Sequence, residues 1–227
     1  MKLRGLRALW LRWVIANAAG ELFGLGLTFA VAAAGFTWLE RLGGILSILA
    51  GFVFAIVSGI FEATLVGWGQ WWAMHPWFPK IRRGEWWRAT TIGALIAYFM
   101  GYLPSSIMSL GAETASTAPV SEPPQSIVLL LAAGMGLLGG AVLSFAQWLV
   151  LRKHVQRAWI WIPANMLAWM AGMPLIFWGI DWIQRMDSTL QMVGVMAGIL
   201  LAVGVIVGAI HGYVLTRLAK SLREFAG

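Results

Sequence analysis

The chain has 227 residues, 60% of them hydrophobic and 11% charged, with 15 Trp and a formal net charge of +7. So much apolar content with so little charge excludes an ordinary soluble domain. The cations sit at the ends of apolar runs, where they act as topology signals and not as a nucleic-acid surface. With no Cys, disulfides, thiolate metal sites, cysteine nucleophiles and S-palmitoyl anchors are excluded.

Six apolar runs are long enough to cross a bilayer core of about 30 Å. Lys2, Arg4, Arg7 and Arg12 precede the first, which covers about 13–36. Ala16-Asn17-Ala18 has the form of a signal cleavage site, but Arg12 breaks the apolar core and hydrophobicity continues past it, so a retained span is expected. A turn at Glu40-Arg41-Leu42-Gly43 leads to the second run, 44–72. It exceeds the ~20 residues a span needs, which predicts tilt or a protruding end. Pro76 and Pro79 stop that helix. Around them, Trp71, Trp72, Trp77, Trp86 and Trp87 mingle with Arg82 and Arg83. This mixture suits a headgroup layer, and its density suggests contact with anionic lipids or a membrane-protein partner.

The third run is 87–103. The stretch 104–125 is rich in Ser, Thr, Ala and Pro, contains Glu113 and Glu122, and reads as the longest loop, on the extracytoplasmic side. The fourth run, 126–151, ends in the basic turn Arg152-Lys153-His154-Val155-Gln156-Arg157. The fifth, 159–180, carries Pro163 in its opening turn, where proline is tolerated. A polar turn at 181–188 leads to the sixth, 190–216, and a basic tail.

Fourteen of the 16 Lys and Arg fall in the N-terminus, the 75–88 loop, the 152–157 turn and the tail. The other connections hold Arg41 and Arg185 with Glu40, Glu113, Glu122, Asp181 and Asp187. That bias predicts an integral protein of the bacterial cytoplasmic membrane with both termini cytoplasmic.

The even runs share a ridge of small residues followed by one polar group. These read Gly59-x-x-x-Ala63-x-x-x-Gly67-x-x-Gln70, Gly136-x-x-x-Gly140-x-x-x-Ser144-x-x-Gln147, and Gly204-x-x-x-Gly208-x-x-His211. Spacing of three and four puts each set on one helical face. The odd runs share Trp13-x-x-Ala16-Asn17, Trp87-x-x-Thr90-Thr91 and Trp161-x-x-Ala164-Asn165, 74 residues apart each time. The expected fold is therefore all-α, a polytopic bundle of six transmembrane helices in a single domain. It is read as three pseudo-repeated hairpins, about 9–75, 86–152 and 158–217.

Asn17, Thr91 and Asn165 lie about one turn inside the cytoplasmic Trp, and Gln70, Gln147 and His211 lie ~7–9 Å from their basic ends. A polar layer is expected, and two readings of it stay open. It either clamps helices together or binds a small ligand. His211 stands without a second His, so helix–helix hydrogen bonding is the expected role and no metal site is expected. Glu21 and Glu62 break the threefold pattern, aligning with Leu95 and Trp169 and with Gly139 and Val203. Each falls roughly 12–20 Å into its span, where an ionisable group is costly and marks a functional candidate. A proton carrier, a cation ligand, an acceptor for a polar substrate and a neutral, hydrogen-bonded Glu all fit.

The segment Gln147-Trp148-Leu149-Val150-Leu151-Arg152, with Gly140 before it and Trp159-x-Trp161 after it, resembles a group of poorly characterised multi-span bacterial membrane proteins that carry recurring QWLVLR-type segments. The resemblance implies a repeated membrane bundle and no particular activity. In shape, six spans with both ends inside are similar to the substrate-binding subunits of energy-coupling vitamin transporters. Three hairpins are reminiscent of mitochondrial-type carriers, whose Pro-x-acidic-x-x-basic motif this chain lacks. No Walker loop, His-Glu-x-x-His helix, Gly-x-Ser-x-Gly serine or dinucleotide fingerprint is present. A non-enzymatic protein without cofactor is expected: a small-ligand-binding or transport-type bundle, or an accessory subunit docking through its Trp-rich loop and Gly ridges.

Overall fold

The computed structural model describes residues 3–114 and 123–224, so Glu122 lies outside the described residues. Those residues are helical throughout, joined by turns, with no strand among them. The first rod is continuous and consists of α1 (Leu3–Gly20), a π-helical turn (Glu21–Leu25) and α2 (Gly26–Leu39). A 3-10 turn, Glu40–Leu42, and Gly43 and Gly44 with φ of 67° and 52° reverse the chain; this left-handed backbone is one that glycine adopts without penalty. Then follow α3 (Gly44–Met74), α4 (Arg83–Thr114), α5 (Gln125–Leu151), α6 (Trp161–Ile183) and α7 (Thr189–Glu224). Six helices, counting the first rod as one, are long and apolar enough to cross a membrane.

Two boundaries differ from the expectation. The third helix does not end at 103 but passes through Pro104 to Thr114. Proline removes one ladder hydrogen bond, yet Ser105 and Ser109 donate back to the carbonyls of Tyr102 and Ser105 and so stay within the helix. The basic tail is likewise the end of α7, which runs to Glu224.

The helices form a closed ring in chain order, each packed on the next and α7 returning to α1. The outside of the ring is apolar: Ile15, Phe23, Leu130 and Leu190 are all more than 60% exposed. The inside holds the polar side chains, with Asn17, Gln70, Ser144, Gln147, Asn165 and His211 all at most 3% exposed. This inverts the usual distribution of a soluble bundle.

The Gly ridges are seams within this ring. A Cβ at Gly140 would stand 2.6 Å from the carbonyl of Asn165, and one at Gly136 would overlap that of Trp169, so α5 touches α6 backbone to backbone. A Cβ at Gly204 would lie 2.7 Å from the carbonyl of Asn17, which seats α7 on α1 in the same way. A Cβ at Gly67 would lie 3.3 Å from the Thr90 side chain, between α3 and α4. The ridges are thus filled by this chain's own helices. Close approach of small residues is how helices gain dispersion energy where no water is displaced.

At the end that carries the basic turns, the loops fold inward. Phe78, Ile81 and Val155 join Leu9, Trp13, Met74, Trp86, Leu151, Trp161 and Leu215 in one buried cluster. The opposite half of the bundle has a second cluster around Leu200, Val203 and Val207.

Candidate functional site

Three indoles stand at the centre of the basic end. Trp13, Trp86 and Trp161 are each 0% exposed and pack edge to face, with ring centroids 5.7–6.4 Å apart. An indole N–H can only donate. Trp86 donates to Gln70 Oε1 (3.2 Å), Trp161 to Gln147 Oε1 (2.9 Å) and Trp13 to His211 Nδ1 (2.7 Å). Each tryptophan therefore ties its helix to the polar residue that ends the ridge of the helix before it, with α7 counted as preceding α1. His211 accepts at Nδ1, so its neutral ring carries the proton on Nε2.

The amides continue the network. Gln70 Nε2 donates to Asn17 Oδ1 (2.9 Å), and Gln147 Nε2 donates to Thr90 Oγ1 and Gln70 Oε1 (3.1 Å each). Asn17 and Asn165 donate to the carbonyls of Trp13 and Trp161, one turn back on their own helices (2.7 and 2.9 Å). A buried amide without a partner is costly, and among these amides every side-chain N–H₂ has a partner.

The middle member of the odd-helix pattern needs correction. Trp86 and Thr90, not Trp87 and Thr91, occupy the places of Trp13 and Asn17. Trp87 is half-buried and donates to Thr64 Oγ1, and Thr91 Oγ1 is buried without a partner. Equal spacing of 74 suggested Trp87, whereas the three inward tryptophans are 73 and 75 residues apart. The spacing within each helix is what persists, with the tryptophan four residues before the polar group. By the same shift, Ala94 and not Leu95 stands with Glu21 and Trp169 around the central cavity.

That cavity holds about 20 Å³ and is lined by Asn17, Glu21, Glu62, Gln70, Asn165 and His211 among others. Six of the seven residues expected to form a ligand site meet here. The seventh, Gln147, is one hydrogen bond away through Gln70 and Thr90. Glu21 is 1% exposed, and neither of its carboxyl oxygens has a partner. Glu62, at 9% exposure, accepts from the Tyr98 hydroxyl. Glu21 opens the π-helical turn, and the backbone at Gly24 approaches Glu62 so closely that a Cβ there would lie 2.9 Å from its Cα. A π-turn widens the helix locally and is commonly found at functional sites. Among the described residues no group of three or more His, Asp or Glu is placed to hold a metal ion.

Tyr98 and the π-turn were beyond the reach of the sequence pattern. Thr90 had a signal, four residues after Trp86. Tyr98 had none, since it lies on a different helix from its partner Glu62.

The Trp-rich loop departs from the expected contact surface. Trp86 is buried in the core because the chain from Phe78 to Trp86 folds under the bundle. Trp71 is half-buried and donates to the Ile81 carbonyl (3.0 Å). Trp72 is 55% exposed, but the Arg12 guanidinium covers its ring at 4.2 Å and lies 5.8 Å from that of half-buried Trp77. Arg82 and Arg83 remain exposed, Arg83 lying 5.7 Å from the Trp68 ring.

Comparisons with protein-family models, curated proteins and solved structures gave no match to this chain.

Proposed function

We propose that this chain is a non-enzymatic integral membrane protein that binds, and by design of its core conducts or exchanges, a single monovalent cation at Glu21 and Glu62. In this reading the six helices cross a bacterial cytoplasmic membrane as three pseudo-repeated hairpins, with the basic turns and both termini inside. The exposed apolar coat, the polar interior and the bias of Lys and Arg toward one end support that placement. The recurrence of one Trp-to-acceptor hydrogen bond at three seams supports the repeat.

One observation carries the functional reading: Glu21 is buried with both carboxyl oxygens unpartnered and borders a cavity of about 20 Å³. Such a volume takes about one water-sized guest. An orphaned acid deep in an apolar bundle is expensive unless a cation or proton meets it. The amides of the polar layer bond to one another and to the backbone, so they supply rigidity beside the acids. Asn17 and Gln70 wall the cavity and hold its shape.

The test is thermal unfolding of the purified protein in nanodiscs with lithium, sodium or potassium chloride at constant ionic strength, and separately across pH steps. A ligand at 100 times its Kd adds about 2.7 kcal/mol, a readily measured rise in Tm. We expect one metal cation to give that rise, or pH alone to do so if the guest is a proton, and Glu21→Gln and Glu62→Gln to fold and lose the response. A wild-type Tm indifferent to all three cations and to pH would overturn the reading, as would an identical response in both variants.

A further inference from the structure

A second cavity, of about 400 Å³, opens at the end opposite the basic turns, between α2, α3 and α4. Its size is that of a small-molecule site. Neither Glu21 nor Glu62 lines it. Phe36, Phe52 and Tyr102 supply aromatic surface, and Glu40 supplies a carboxylate. Among the described residues Glu40 makes no ion pair.

The polar lining has a single character. Ser47, Ser105 and Ser109 donate their protons to the carbonyls of Gly44, Tyr102 and Ser105, which leaves oxygen lone pairs for a guest. No Lys, Arg or His lines the cleft. Carboxylate, hydroxyl lone pairs and aromatic rings all favour positive charge, and an apolar body matches Leu39, Ile48 and Ala55 on the remaining wall. The surrounding end reinforces this preference, since among the described residues Glu113 and Asp187 outweigh Arg41, the one cation there without an ion pair. Tyr102 also lies beside Tyr98, with ring centroids 6.0 Å apart and the rings tilted by 37°, and Tyr98 donates to Glu62, so the cleft and the buried acids share a wall.

We propose that this cleft binds a lipophilic ammonium ion, with its charge between Glu40 and the serine oxygens and its apolar body against Phe36, Phe52 and Tyr102. The full-length protein in nanodiscs tests this by equilibrium binding of radiolabelled tetraphenylphosphonium, with empty discs subtracted. Benzyltrimethylammonium and its neutral isostere neopentylbenzene serve as competitors. Saturable binding that the ammonium displaces at least tenfold better than the hydrocarbon is expected. Glu40→Gln, on an exposed turn where folding is insensitive, should weaken binding at least fivefold, and the Ser105→Ala/Ser109→Ala double variant should weaken it as well. Asp187→Asn, an exposed acid at the same end but outside the cleft, should leave it within twofold. Equal displacement by both competitors would overturn the proposal by marking a merely apolar cleft. Unchanged affinity in Glu40→Gln, or an equal loss in Asp187→Asn, would overturn it by removing local charge recognition.

Discussion

Replacing Gln147 by Leu isolates what the polar layer contributes. The side chain makes three hydrogen bonds, donating to Gln70 Oε1 and Thr90 Oγ1 and accepting from Trp161 Nε1. Leu has nearly the same volume, so the seam with α6 stays filled. Two donated bonds are lost, at about 0.6 kcal/mol each for interhelical bonds in a bilayer. The Trp161 N–H is worse off, because it is fully buried and has no other acceptor, and an orphaned donor costs about 1–3 kcal/mol. The expected loss is about 2–4 kcal/mol. Reversible unfolding in bicelles by added SDS, followed by tryptophan emission, measures it. Thr90→Val removes one acceptor and should cost about 0.5–1 kcal/mol. A double-mutant cycle of Gln147→Leu with Trp161→Phe should return a coupling of about 1–2 kcal/mol, since Phe has no donor to orphan. A Gln147→Leu protein within about 0.5 kcal/mol of wild type, or a cycle near zero, would show that the network does not hold the helices.

His211 accepts a hydrogen bond from the Trp13 N–H as Gln70 and Gln147 accept from those of Trp86 and Trp161. His211→Gln should therefore unfold within about 1 kcal/mol of wild type while His211→Leu loses about 2 kcal/mol or more; equal losses would argue against equivalence of the three seams. Gly140→Val should prevent α5 from seating on α6, where even a Cβ would lie 2.6 Å from a carbonyl oxygen, and circular dichroism with size exclusion would report it. Gly194→Ala meets nothing within 4 Å and should be neutral or stabilising by up to about 1 kcal/mol. Because the chain has no Cys, single cysteines at Lys153 and Asp187 can be labelled in intact cells with an impermeant maleimide. Only the second should react, and labelling at Lys153 would invert the proposed orientation.

The six helices were legible because a bilayer-length apolar run leaves few structural options, and the polar positions were legible because they stand out against such a background. Helical spacing of three and four also put Asn17, Gln70, Gln147, Asn165 and His211 on inward faces without knowledge of what faced them. Glu21 and Glu62 were visible for the same reason, as charges where charge is costly. Helix ends were less legible: a serine-rich stretch after Pro104 reads as loop until its hydroxyls are seen bonding back to their own helix.

What periodicity cannot carry is the pairing between helices far apart in the chain. That Trp13 meets His211 across 198 residues depends on the ring closing. That Tyr98 serves Glu62, and that Trp86 and not Trp87 turns inward, depends on how α4 seats against α3. Composition and helical period determined which side chains are hidden inside the bundle. Only the tertiary structure decided which of them satisfy one another and that both carboxyl oxygens of Glu21 are left without a partner, because hydrogen bonds are directional and short-ranged while burial is neither.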